Sequence, residues 1–327
     1  PLPISLIREM DELVAARQGG LDSRAGLARE AIEAMVMELR YGLAEPEVQP
    51  HQDPILAGAS SRDAADVSFT SLETPLKINC FVDPLPPHQK PPRGFHNRDY
   101  PSLWAAAQIC HLLNGKSMAS DTMADALVEE AWAFAERLVL LDDVIPGKPS
   151  ALFPTNRRKR QSAEGKFMMF AVGTLNSGKD GEPQPRGILF DWQVLGMEMT
   201  SSGPEIGLTR IGQDLLTSMA GLTVAQPHPP KYTQRFLAHL ARHAPGDWAG
   251  FQLMLQSVGP GIGREELIDA FNSRWPEWNR NVASTNSAGY IARGREWGLV
   301  EMRQIERRYA LTELGHQVLS KQGAGHD

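Results

Sequence analysis

Cysteine is almost missing from this chain. Cys80 and Cys110 are its only two, too few for a disulfide scaffold and without the repeated thiolate spacing of a structural zinc or iron–sulfur site, so a reducing compartment, the cytoplasm, is the expected location. Long apolar runs are missing as well. No stretch reaches the roughly 18 residues that a membrane helix needs, and the opening PLPISLIREMDELVAARQGG sets Arg8, Glu9, Asp11 and Glu12 where a secretion signal would be apolar. No membrane partner is expected. Positive charge is in the minority, 33 Lys and Arg against 39 Asp and Glu for a net charge of −6; this excludes a surface that is basic all over but leaves room for a local basic face. Uninterrupted periodicity is scarce too, because 29 Gly and 24 Pro punctuate the elements and argue against one helical rod or a coiled coil.

What is present suits a folded protein: 327 residues, 42% hydrophobic and 22% charged, enough for two or three domains. Residues 1–45 read as an acidic helical region, with helices over 4–17 and 23–43. Counted to residue 66, twelve acids face six arginines, so the whole −6 resides there. Residues 46–101 form a Pro-rich connector with short strands expected at 67–72 and 76–82. From 102 to 222, the helix SLWAAAQICHLLNG and another running from Ser120 or Asp121 to Asp142 lead past the basic cluster Arg157, Arg158, Lys159 and Arg160. Strands are expected over 166–175 and 187–199, then a helix within EIGLTRIGQDLLTSMAGL. From 231 to 322 come helices in TQRFLAHLARHAP, DWAGFQLMLQSVGPG, REELIDAFNSRWPEW and STNSAGYIARGREWG. A hairpin with strands near 299–302 and 309–311 and a last helix, TELGHQVLS, complete the order.

The stretch GYIARGREWGLVEMRQIERRYALTELGHQVLS resembles the winged helix-turn-helix superfamily. Gly298 ends a helix and is followed by Leu299 and Val300, a charged tip, Tyr309, Leu311, and then Thr312, Gly315, Val318 and Leu319 at the opening of the last helix. The resemblance spans residues 247–320. Leu208, Thr209, Gly212, Leu215 and Leu216 repeat the Leu-Thr-x-x-Gly arrangement as a looser second copy. The implied fold class is mainly α with small β wings (α+β), with tandem winged helix-turn-helix modules at 102–222 and 231–322 behind the N-terminal helical extension. One position departs from the pattern. Gly294 stands where the superfamily commonly has a large aliphatic residue, which weakens the helix and leaves either Trp297 to fill the space or a shorter, closer-packed helix.

The resemblance implies a non-enzymatic DNA-binding protein, a transcription regulator or a replication-initiator-like protein, whose partner is double-stranded DNA. In the second module Ser284, Thr285, Asn286, Ser287, Tyr290, Arg293 and Arg295 are expected to face outward into the major groove, and Arg303, Arg307 and Arg308 to meet the phosphate backbone. Residues 280–308 hold six Arg and three Glu, a local +3. In the first module the recognition helix is expected within DALVEEAWAFAERLVLLDD and the wing in the strands 166–175 and 187–199. Residues 121–143 carry seven acids and one Arg, which repels phosphate, so DNA contact there falls to Arg157, Arg158, Lys159 and Arg160 with Lys166. Packing or dimerisation is the preferred role of the first module, the C-terminal module being the surer DNA contact, and a homodimer or protein complex through the first module and the N-terminal region is the second partner expectation. The rival reading is a protein-docking subunit of a larger nucleic-acid-processing or defence complex.

Patterns that carry chemistry are weaker. Gly173, Gly178 and Lys179 approach phosphate-loop spacing, but Asp180 takes the magnesium-binding hydroxyl's place and Pro183 and Pro185 prevent the following helix. His239 and His243 are four apart without a third ligand or an adjacent Glu, and Cys80, His88, His96 and Cys110 are irregularly spaced. Asp142 with Asp143, and Asp191 with Glu198 and Lys179, make no defined acid–base set, and no Gly-x-Ser-x-Gly turn occurs. Neither cofactor nor metal is expected.

Overall fold

Pro84 of the connector bridges Gly196, and the glycines of the two Leu-Thr-x-x-Gly segments lie against the carbonyls of Val194 and Leu299. In this computed structural model the described residues are 68–78, 80–92, 97–177, 182–303 and 308–323; the expected helices at 4–17 and 23–43 lie outside them. Helix α1 (Tyr100–Leu113) has Pro101 in its first turn, where a missing N–H costs nothing, and ends at Asn114 in the left-handed region, φ 45°. Strand β1 (Met118–Ala119) leads into α2 (Ser120–Val139), which buries Met123, Leu127, Ala131, Phe134 and Leu138, the side their spacing predicts. Trp104 of α1 stacks on Phe134 at 4.9 Å and meets Phe153 and Phe167 edge-on.

The basic cluster forms a 3-10 turn, Arg157–Lys159, that leads into α3 (Arg160–Phe167) and a π turn, Met168–Val172. The strand expected over 166–175 is therefore helical as far as Val172. Phe167, Ala171 and Val172 are buried while Lys166 and Met169 stay out, a helical spacing that a short apolar run does not reveal. The hairpin of β2 (Thr174–Ser177) and β3 (Pro183–Arg186) follows. A single turn, α4 (Ile188–Asp191), then precedes a second hairpin, β4 (Leu195–Thr200) and β5 (Gly203–Leu208), and α5 (Arg210–Met219). The long wing expected from 166–175 and 187–199 is thus two separate hairpins. In the second of them β5 pairs on its other side with β1, giving the order β1-β5-β4.

Among its described residues the connector carries no regular ladder. Of the strands expected at 67–72 and 76–82, the described residues form a 3-10 turn at Ser68–Thr70 and extended chain that docks locally. Leu72 exchanges backbone hydrogen bonds with Gly221 and Leu222, Val82 donates to Leu208, and Pro84 bridges Gly196.

The remaining elements follow the sequence reading closely: α6 (Pro230–His243), α7 (Pro245–Val258), α8 (Arg264–Arg274), α9 (Arg280–Glu296), β6 (Val300–Arg303), β7 (Arg308–Leu311) and α10 (Glu313–Gly323). Ile262, between α7 and α8, bridges Tyr309 of β7. Gly294 does not shorten α9, which runs 17 residues. A Cβ there would crowd Met254 and Val300, so its absence admits a closer approach of α7 and β6.

Two halves of the chain share this order, and the correspondence reaches individual hydrogen bonds. Trp192 and Trp297 each close a helix by donating their backbone N–H four residues back, to Ile188 and Arg293. Gln193 and Gly298 follow in the left-handed region, φ 58° and 66°, and Leu195↔Leu208 matches Val300↔Leu311 across the two hairpins. Thr209 and Thr312 then cap α5 and α10 in one way. Each hydroxyl donates to the residue after the Trp, Gln193 at 2.5 Å or Gly298 at 2.6 Å, and accepts from Gly212 or Gly315. A Cβ on either glycine would run into a carbonyl oxygen, that of Val194 or Leu299.

The repeat also explains β2–β3. Helices α3 and α9 both begin on an arginine, and α4 and α9 both end one residue before a Trp. Between those points the first half has residues 173–187 in addition. The helical pieces on either side, Arg160–Val172 and Ile188–Asp191, together hold 17 residues, the length of α9. Gly173 (φ 130°) and Gly187 (φ 121°) meet at the neck, where a side chain on either would overlap the other strand's backbone. The hairpin thus stands between two helical pieces whose summed length equals that of α9.

Candidate nucleic-acid interface

A buried seam joins the halves. Arg293 of α9, with no exposed surface, donates through Nε to Asp99 at 2.6 Å and through both terminal nitrogens to Asp247 at 2.7 Å. Asp247 also accepts from Tyr290 Oη at 2.7 Å and Trp192 Nε1 at 2.8 Å, and Asp99 accepts from Trp297 Nε1 at 2.6 Å. Glu296 accepts from the backbone N–H groups of Asp99 and Tyr100, which satisfies donors at the start of α1, and lies 3.3 Å from His228 Nε2. Phe236 of α6 stacks on Trp297 at 4.4 Å and meets Trp192 edge-on at 5.0 Å.

These carboxylates outnumber their cation. Burial, then proximity to Glu296 and Asp247, pushes Asp99 up to about 7 against the pull of Arg293. Asp247 goes the other way: burial penalises its charge, but Arg293 beside it and the donors from Arg293, Trp192 and Tyr290 together hold it below its ordinary range. Asp191, the counterpart of Glu296 in the first half, is raised to about 7 by burial and by Asp247; His88 is 3.6 Å away.

This seam corrects the groove-facing expectation for α9. Tyr290 and Arg293 are fully buried, Asn286 and Ser287 nearly so, and the Asn286 amide donates to Val282 O within its own helix. The packing of α9 against α7 and the first half absorbs those positions, and Arg293 is neutralised by two carboxylates distant in sequence. Thr285 and Arg295 are exposed and Ser284 is half-buried. On the second hairpin, Arg303 is exposed and stands opposite Arg308, which pairs with Glu266 at 2.8 Å. Arg307 lies outside the described residues.

The first half presents a denser basic surface. Arg157, Arg158, Lys159 and Arg160 are all exposed at the N-terminal end of α3, with Lys166 two turns on. Arg157 pairs with Glu136, and Arg160 with Glu129 and with Glu164 at 2.6 Å. Arg158 and Lys159 have no ion pair among the described residues. The α2 segment expected to supply the recognition helix supplies Glu129 and Glu136 of these partners, and Glu164 belongs to α3 itself. Arg280, first residue of α9, occupies the place of Arg160 and likewise pairs with the preceding helix, through Glu265 at 2.6 Å and Asp269 at 2.7 Å.

Among the described residues the weaker chemical patterns are not brought together into a site. His239 Nε2 is committed to Trp192 O at 2.9 Å, and burial pushes its ring down to about 4. No group of three metal-binding side chains occurs among the described residues. Asp142 accepts from the Ser150 hydroxyl and N–H, a local structural role. His96, Lys179 and Asp180 lie outside the described residues. None of the described helices is long and apolar enough to cross a membrane. No family model, curated protein or solved structure matches this chain.

Proposed function

We propose that the chain is a non-enzymatic double-stranded-DNA-binding protein built from two winged helix-turn-helix units, acting as a transcription regulator or replication-initiator-like protein. The observation that carries this reading is the exposed cluster Arg157–Arg160 at the start of the helix that precedes the β4–β5 hairpin. In a helix–strand–helix–helix–hairpin order, that helix end and the hairpin are the parts that approach a duplex. The same order recurs in the second half with the single bridge at Ile262 in place of the strand, where Arg303 and Arg308 on β6–β7, with Thr285 and Arg295 on α9, are the accessible polar side chains among those expected to meet DNA.

The acids of α2 do not forbid phosphate contact. Exposed ion pairs such as Arg157–Glu136 are worth at most about 1 kcal/mol, so a phosphate replaces a carboxylate at little cost, and Arg158 and Lys159 need not exchange partners. Positioning by phosphates with few base contacts fits a surface made mainly of Arg and Lys.

Anisotropy titration of a labelled mixed-sequence duplex at low ionic strength tests the reading. The double charge reversal Arg158→Glu with Lys159→Glu is expected to weaken binding at least about tenfold, because two phosphate contacts become repulsions. Unchanged affinity contradicts it. A second reading, a docking subunit within a nucleic-acid-processing or defence complex, draws on one feature: Val139, Leu140 and Val144 at the end of α2 are 52%, 77% and 63% exposed.

A further inference from the structure

The contacts between the two halves are reciprocal. Trp192 of the first half donates to Asp247 in the first turn of α7, and Trp297 of the second donates to Asp99 immediately before α1. The two tryptophans hold one place in the repeat, and the two aspartates stand at the start of the same helix. The Trp of each half therefore meets the start of the corresponding helix of the other, with the two aspartates three residues apart in the repeat (Asp99 just before α1, Asp247 third in α7), which is the pattern of an approximate isologous, two-fold contact; head-to-tail stacking would use such a contact only once.

Helix α6 obeys the same symmetry. Thr233 and His239, three residues to either side of Phe236, donate to the backbone carbonyls of Trp297 and Trp192, and Phe236 touches both indoles. Arg293 breaks the symmetry. Its counterpart is Ile188, so one guanidinium serves both aspartates. The hairpin 173–187 breaks it a second time.

We infer that the chain is an internal two-fold pair whose partner is a duplex carrying two half-sites as an inverted repeat, read by one chain; this rests on the DNA-binding reading above. Duplex DNA has local two-fold axes perpendicular to its length, so two-fold-related protein surfaces meet half-sites of opposite orientation, whereas translated surfaces meet direct repeats. The two half-sites need not be equal. The first half offers Arg157, Arg158, Lys159, Arg160 and Lys166, and the second offers the sparser Arg303 and Arg308, so phosphate anchorage is stronger on one side of the axis.

Selection of bound sequences from a random duplex library by the full chain, followed by the mass of the complex on a selected site, tests this. The expected product is an inverted pair of half-sites, centred about one helical turn (~10 bp) or a multiple apart, occupied by one chain. Reversing one half-site to make a direct repeat is expected to weaken binding at least about tenfold, the loss of a single good base contact or more. Enrichment of a direct repeat, of a lone half-site, or of an inverted repeat holding two chains overturns the inference and leaves DNA binding standing. Failure of the library to bind at all overturns both.

Discussion

Arg293→Met isolates the seam. The substitution keeps most of the side chain's volume but strands two buried carboxylates, Asp99 and Asp247, that now share three charge-assisted hydrogen bonds from the guanidinium. Removing one partner of a buried ion pair costs about 3–5 kcal/mol, and that is the loss expected near pH 8. The loss should shrink in acid. Arg293 is the largest of the groups that hold Asp247 below its ordinary range; without it, burial drives the carboxyl upward, and the folded variant retains a proton that the unfolded chain has released. The variant therefore gains stability as pH falls, by about 1.4 kcal/mol per pH unit for one proton, and the deficit near pH 5 should be about 1–3 kcal/mol smaller than near pH 8. Urea unfolding followed by tryptophan fluorescence measures both values, with Trp192 and Trp297 reporting from the seam itself. A deficit below about 1 kcal/mol, or one of equal size at the two pH values, refutes the account of a charged, buried interlock.

Three further outcomes follow from the same geometry. Asp191, raised to about 7 by burial and Asp247, favours the folded state most below its unfolded value and loses that contribution as pH rises through about 7. Asp191→Asn should thus flatten the stability curve between about pH 4 and 7 and be the more stable protein near pH 8, and urea midpoints below wild type there contradict this. Gly212→Ala and Gly315→Ala each push a methyl into a carbonyl oxygen and should each lower stability by about 1–3 kcal/mol in thermal unfolding; a neutral effect at either site would show that the capping geometry is not shared. Deleting residues 173–187 joins Val172 to Ile188, as Ala292 is joined to Arg293 in α9. The shortened protein should unfold cooperatively with helical circular dichroism retained, and a loss of cooperative unfolding would show that the hairpin is part of the core.

Much of the architecture was legible in the residues. The apolar spacing of α2, the Gly298 stop after α9, and the Leu-Thr-x-x-Gly openings of α5 and α10 each encode a local requirement satisfied within a few positions. The strand expected at KFMMFAV was illegible for a physical reason: over seven residues, an apolar run satisfies a strand and a buried helical turn alike. The excursion 173–187 hides the continuation of that helix. Arg293 reads as groove-facing from the sequence because its partners lie 194 and 46 residues away, beyond any local pattern. One usable signal was the acid–Trp pair, Asp191-Trp192 and Glu296-Trp297, which precedes each Leu-Thr-x-x-Gly segment by a similar interval and marks the repeat at its interface.

The central claim is that the basic start of α3 holds duplex phosphates, and its most direct measurement is the dependence of duplex affinity on salt. For wild type, log affinity should fall linearly with log salt, at about −0.9 per phosphate engaged. Replacing Arg157, Arg158 and Lys159 together by alanine should flatten that slope by about 2–3 while leaving the unfolding midpoint near that of wild type. Affinity without salt dependence, or a slope that the triple substitution leaves unchanged, would contradict the account.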